Sequence, residues 1–315
     1  MSHLIETMAY VGQVPWHGLG NPLSAQQPLD VWQREAGMDW TIEHSDVLFE
    51  VAGGESLLRP YPDSKVLYRS DTLAPLSVVS KRYKVVQPQD VLHFYNDLVS
   101  AGGFELETAG VLKGGRKLWA LARTGQETVL KGGDRVKAYL LLATSCDGTL
   151  CTTAQFTSVR VVCNNTLQMA VGERSGAVKV PHSTVFDPRQ VKEALGIGLS
   201  GWEAFIGQIK ALSRRPISAD EARVFFHDVL DEAPSEDTGA SRAWQQLERL
   251  YAGAGMGAEL PGARNTAWGL VNAMTEYVDH HRRARSQDYR LDSAWFGQGA
   301  LLKRKALDQA LVLLD

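Results

Sequence analysis

Three cysteines and eight histidines are the residues of this 315-residue chain best suited to nucleophilic or metal chemistry. Cys163 and His182 could form a thiol–imidazole pair, with Cys146-Asp147 or His17 beside it. Such a pair needs a thiolate activated by an adjacent base. Cys163, however, continues the apolar run Val161-Val162, where a buried, inert thiol is the simpler expectation. Metal binding has less support still. The cysteines are separated by four and eleven residues, unlike the C-x₂-C pairs of structural zinc. His280 and His281 are neighbours and cannot face one ion as an i, i+4 pair would. No metal and no cofactor is expected, and His17, Cys163 and His182 form the alternative, enzymatic site.

Glycine pairs raise the question of phosphate binding. Lys113-Gly-Gly-Arg116 and Lys131-Gly-Gly-Asp134 are not followed by a helix whose N-terminus would hold phosphate. No Walker or G-x-G-x-x-G pattern opens a helix anywhere. Hairpin turns account for both pairs, because glycine takes positive φ without steric cost.

The strands that these turns connect carry a different chemistry. Alternate residues of a strand share a face. Over 135–143 one face reads Arg135, Lys137, Tyr139, Leu141 and the other Val136, Ala138, Leu140, Leu142. Over 117–123 one face reads Lys117, Trp119, Leu121, Arg123. Arg160 lies between Val159 and Val161. Cations and rings on one side of neighbouring strands suit a single strand of nucleic acid, with phosphates neutralised and bases stacked. The expected binding set is Lys113, Arg116, Lys117, Trp119, Lys131, Arg135, Lys137, Tyr139 and Arg160. The bland alternative is a sheet kept soluble by Lys and Arg, with Trp119 and Tyr139 packed under helices. A second basic cluster, His280-His-Arg-Arg-Ala-Arg285 with Lys303-Arg304-Lys305, is explained equally well by a helix C-terminus that favours cations.

The elements that must position these residues follow from periodicity. The first 35 residues are rich in Gly and Pro, so long elements are not expected there. Period-2 stretches mark strands near 40–51, 65–70 and 76–86. Pro88 opens a helix over 88–100 that stops at Gly102-Gly103. An antiparallel meander follows to about 162, then a short helix from Asn164-Asn165 to Ala170. After Asp187-Pro188 the chain is helical, with a capping box at Ser218–Glu221 and helices near 240–252, 266–284 and 292–313. The expected class is α+β: an antiparallel meander with flanking helices over 1–186, then a helical part over 187–315.

Composition bounds the rest. At 44% hydrophobic and 22% charged the chain matches ordinary globular proteins, not disordered or disulfide scaffolds. No apolar run approaches the roughly 18 residues of a membrane span. Neither a signal peptide nor a disulfide framework is evident, so a reduced, cytoplasmic setting is expected. The net charge of −3 is uneven. Residues 1–74 carry four basic against ten acidic residues, 75–186 thirteen against eight, and 187–315 sixteen against eighteen. Only the middle third has the sign that attracts a polyanion.

Several segments resemble a known family. Tyr10-x-Gly-x-x-Pro-Trp-His-Gly-Leu-Gly20, Tyr83-Lys-Val-Val86, Ala109-Gly-Val-Leu-x-Gly-Gly-Arg116, Ser158-Val-Arg-Val-Val-Cys-Asn-Asn-Thr166 and Thr266-Ala-Trp268 through Glu276-Tyr-Val-Asp279 are similar to prokaryotic phage/plasmid-like proteins grouped as a domain of unknown function. The resemblance spans nearly the whole chain. It implies a mobile-element setting and brings no catalytic residue. Ser145-Cys-Asp-Gly148 departs from it where the family has histidine, which weakens a thiol role for Cys146. The order helix, antiparallel strands, helix is also similar to that of single-strand annealing recombination proteins, which assemble into rings or filaments. That is fold analogy alone.

The leading expectation is a non-enzymatic, self-associating binder of single-stranded DNA that serves as an annealing or recombination accessory, with no membrane partner. The alternatives are an enzyme using the Cys/His set and an interaction factor that blocks a host defence or replication component through its acidic first 74 residues.

Overall fold

The computed structural model describes residues 5–12, 20–51, 57–96, 98–99, 104–162, 165–168, 170–171, 174–175, 177–196, 199–231 and 241–314. They are 39% helix and 33% strand, an α+β fold with antiparallel sheets and a helical C-terminal part. The strands are β1 (Ile5–Val11), β2 (Asn21–Leu23), β3 (Ile42–Val51), β4 (Leu57–Arg69), β5 (Pro75–Ser80), β6 (Glu105–Leu112), β7 (Lys117–Leu130), β8 (Asp134–Ser145), β9 (Thr152–Arg160), β10 (Asn165–Gln168) and β13 (Ala177–Val180), with the short β11 (Ala170–Val171) and β12 (Arg174–Ser175) before the last. The main sheet has the order β10-β9-β8-β7-β6-β1-β2, with β13 also on β9; β3-β4-β5 form a second sheet.

Two compact units interleave along the chain. The first comprises Met1–Thr124, Leu140–Gln155 and Ala177–Leu195; the second comprises Gly125–Tyr139, Phe156–Gly176 and Gly196–Asp315. Strands β7, β8 and β9 each contribute to both. Accordingly β9 pairs with β13 through Thr152–Gln155 and with β10 through Thr157–Arg160.

In the first unit, helices α1 (Leu29–Glu35) and α2 (Pro88–His93) accompany the strands. Gln87 and Asp90 cap α2 reciprocally, and Pro88 takes the first position, where its missing N–H costs nothing. Phe94 and Tyr95, just past α2, are fully buried, and the Tyr95 hydroxyl lies 2.8 Å from the Ala120 carbonyl and 3.0 Å from that of Leu140. The β6–β7 turn needs its glycines: Gly115 has φ +101°, and a Cβ there would come within 2.9 Å of the Trp40 ring.

In the second unit the helices are α3 (Pro188–Gly196, which begins in the first unit), α4 (Leu199–Leu212), α5 (Ala219–Leu230), α6 (Arg242–Arg249), α7 (Ala267–Glu276), α8 (Gln287–Phe296) and α9 (Gln298–Val312). The Ser218–Glu221 capping box forms as expected: Glu221 N donates to Ser218 Oγ at 3.2 Å and Ser218 N to Glu221 Oε2 at 2.8 Å. Helix α7 is buried on every side because tertiary contacts surround it, and Trp268, Leu270, Val271 and Met274 are at most 2% exposed. Each such side chain stabilises the fold by roughly 1.5–3 kcal/mol on burial.

Three sequence expectations change. The short helix expected after Asn164-Asn165 is instead strand β10, whose Thr166 and Leu167 pair with Val159 and Ser158. A β-branched residue beside an open strand edge outweighs the capping signal. The single helix expected over 292–313 is broken at Gly297. The Gly- and Pro-rich start does contain a strand, β1, held by antiparallel pairing to β6. The Gly102-Gly103 stop and the loop at 232–237 lie outside the described residues.

Candidate nucleic-acid interface

In the second unit the distal β7–β8 hairpin alternates as its sequence suggests. Leu130, Asp134, Val136 and Ala138 are buried, whereas Glu127, Val129 and Arg135 are exposed and Lys137 is half-buried. Gly132 and Gly133 take φ of +87° and +82° in the turn, and a Cβ on Gly132 would meet Pro261 at 2.3 Å. Lys131 is exposed beside them. Arg135 makes a 2.9 Å ion pair with Glu127 while keeping half of its side chain in water; such a surface pair contributes only about 0–1 kcal/mol. The side chains of Lys131 and Lys137 form no hydrogen bond or ion pair among the described residues.

Beyond Lys137 the expected open face closes. Tyr139 is 3% exposed, as is Arg160. In the first unit Trp119 is 3% and Lys117 4% exposed, and the whole run from Lys117 to Ala122 is buried on both faces. These four residues therefore do not line an open surface, and neither ring can stack on a base. Period-2 alternation identified the more apolar side of these strands; the other side is covered as well. Lys113 and Arg116 remain at the surface at the β6–β7 turn, half-buried and exposed respectively.

Arg160 has a different task. Its Nε donates to Asp134 Oδ1 at 2.7 Å, Nη1 to the Met256 carbonyl at 3.0 Å and Nη2 to the Gly257 carbonyl at 2.9 Å. Trp268 Nε1 donates to the second oxygen of Asp134 at 3.1 Å. Buried charges persist only when paired and hydrogen-bonded, and this group meets both conditions. Lys303, expected in a basic surface cluster, is likewise buried: its Nζ donates to Asp279 Oδ1 at 2.7 Å and Thr166 Oγ1 at 2.8 Å. Burial lowers its pKa, against the raising effect of Asp279. Glu276 is also buried and accepts from Met256 N at 2.9 Å. Sequence offered no sign of these partners, which stand 20 to 137 positions apart.

A cationic cluster that spacing did not reveal lies in the first unit. Lys65 on β4 donates to the Tyr83 carbonyl at 3.0 Å. Its pKa is lowered by partial burial and by the charges of Lys84 and Lys81. Lys81 is paired with Asp46, but Arg82 and Lys84 are exposed with no side-chain partner among the described residues. The hint was Lys81-Arg82-Tyr83-Lys84 itself; the missing information was that β4 brings Lys65 alongside.

Beside this cluster His182 stacks on Tyr83 with centroids 4.4 Å apart. Its Nδ1 faces the Lys84 carbonyl at 3.0 Å and its Nε2 the Leu150 carbonyl at 2.9 Å. The ring clasps two backbone segments and presents no free nitrogen. Cys146 is buried, its thiol pushed up to about 12 by burial and then by Asp147. For Asp147, burial acts upward but hydrogen bonds from Thr149 and Ser145 and the charge of Lys117 hold it below the usual carboxylate range. His17 and Cys163 lie outside the described residues. Among the described residues no group of three or more His, Cys, Asp or Glu is placed to hold a metal ion, and no helix is long and apolar enough to cross a membrane.

Fold and site together define an α+β protein with exposed cations on the β7–β8 hairpin and beside Lys65, in which His182 and Cys146 are engaged or buried and Cys151 is exposed. The chain belongs to the family of the domain of unknown function DUF932, which matches residues 75–295. No curated protein and no solved structure matches it.

Proposed function

We propose that this protein binds single-stranded nucleic acid without catalysing a reaction, as an annealing or recombination accessory in a phage or plasmid setting inside the cell. The phosphate contacts are Lys131, Arg135 and Lys137 on the β7–β8 hairpin of the second unit, and Lys113 and Arg116 at the β6–β7 turn of the first. Lys117, Trp119, Tyr139 and Arg160 support the fold beneath these contacts. Base stacking by Trp119 and Tyr139 has no part in the proposal.

The observation that carries it is the β7–β8 hairpin, where Lys131 and Arg135 are exposed and the side chains of Lys131 and Lys137 have no ion pair among the described residues. Of the hairpin cations Arg135 is paired with Glu127, and that pair leaves half of the Arg135 side chain in water. In the first unit the like charges of Lys65 and Lys84, kept close together, also favour binding of an anion. Contacts of this kind read phosphate, so binding is salt-dependent and largely indifferent to sequence.

The test is titration of a labelled single-stranded oligonucleotide against the wild type and an Arg135→Glu/Lys137→Glu variant at low salt. Binding by the wild type with at least a tenfold loss in the variant supports the proposal. Equal binding by both, or none by either, ends it.

A further inference from the structure

The distal part of the β3–β4 hairpin is an arm. Strand β5 pairs with β4 only from Ser64 to Tyr68, whereas β3 and β4 continue as a bare two-stranded ribbon, Val47–Val51 against Leu57–Tyr61. An isolated two-stranded ribbon is marginal in water unless one face is covered. Directly opposed residues share a face, so Val47, Phe49, Val51, Leu57 and Tyr61 line one side around a single cation, Arg59. Phe49, Val51, Leu57 and Tyr61 are 44–49% exposed. They present on the order of 400 Å² of apolar surface, the size at which a monomer's largest patch is often functional. Pro60 and Pro62 carry no backbone N–H, which disfavours addition of a further strand along β4.

The same unit contains a cleft of about 530 Å³ between the first turn of α1 and the segment after α2. Its lining is largely apolar, with Val11, Leu29, Trp32, Val99 and Leu106, and Asp30 on the wall is exposed with no ion pair among the described residues. Arg59 likewise has no partner among the described residues. An uncovered apolar arm bearing one free cation and an apolar cleft bearing one free carboxylate are complementary. The arm's exposure means that it does not occupy the cleft of its own chain.

We infer that the β3–β4 arm of one copy docks in the α1–α2 cleft of a second copy, with Arg59 facing Asp30. The contact is head-to-tail, so each copy donates one arm and accepts another, and assembly proceeds to a ring or filament. This inference does not depend on nucleic-acid binding.

Sedimentation velocity of the full chain over a range of concentrations tests it. The wild type forms species larger than a dimer as concentration rises. A Phe49→Asp/Tyr61→Asp variant (no donor) and a Val99→Glu variant (no acceptor) remain monomeric alone, and their mixture yields a dimer and nothing larger. Arg59→Asp weakens assembly at least tenfold, and adding Asp30→Arg to the same chain restores it. That charge exchange decides the matter if the apolar variants fail to fold. A wild type that stays monomeric, an arm variant that assembles normally, or arm-dependent co-sedimentation of monomer with phosphatidylglycerol vesicles would overturn the inference.

Discussion

Arg160 and Asp134 form a sealed ion pair, 2.7 Å apart with side chains 3% and 0% exposed, and the Trp268 indole closes the second carboxylate oxygen. Removing one partner leaves the other charge buried and alone, at a cost of about 3–5 kcal/mol. Asp134→Asn should therefore lower unfolding free energy by that order, whereas Arg160→Met/Asp134→Leu together should lower it much less. Urea unfolding of the three proteins checks this. A single-variant loss below about 1 kcal/mol would contradict the buried-pair account.

Alkaline pH should unfold the protein progressively. Cys146, Tyr83 and Tyr251 are each raised to about 12 in the fold, chiefly by burial, from ordinary values of 9.0 for the thiol and 10.0 for the phenols. The unfolded chain therefore releases these protons first. Their stabilising contribution is complete below the unfolded values and is lost as pH rises toward 12. Lys65 and Lys303, lowered chiefly by burial, act in the opposite direction, whereas the fully buried Tyr95, also raised, adds to the three. Urea midpoints at about pH 8 and about pH 10.5 should fall between the two, and Tyr83→Phe should flatten the decline. A midpoint that holds or rises would contradict the burial of these groups.

Thiol reactivity should separate two cysteines. Cys146 is 3% exposed and holds its proton, whereas Cys151 is exposed. The thiolate is the reactive form. Brief alkylation of the native protein at neutral pH followed by peptide mass mapping should label Cys151 and spare Cys146. Comparable labelling of both would show that the turn after β8 opens readily.

Turns and caps were legible in the sequence because their signals are local. Gly114-Gly115 and Gly132-Gly133 do take positive φ, Pro88 does open α2, and Ser218 with Glu221 does cap α5. The outward face of the β7–β8 hairpin was legible as far as Lys137. It ceased to be legible at Tyr139 and across 117–122, where a strand buried on both faces still alternates cations and rings with aliphatics. Lys117 and Arg160 read as surface cations because a charged side chain carries no local mark of a distant partner. Asp134 is 26 positions from Arg160 and Asp279 is 24 from Lys303, so only tertiary structure joins them. The same holds for Lys65, which reaches Tyr83 only because β4 and β5 pair.

The salt dependence of oligonucleotide binding tests the central proposal most directly. For single strands the slope of log K against log salt is about −0.7 for each phosphate neutralised. Lys131→Ala/Arg135→Ala/Lys137→Ala should bind more weakly than the wild type and with a slope shallower by about 2. A wild type that does not bind, or a variant with an unchanged slope, would contradict the assignment of these three cations to phosphate.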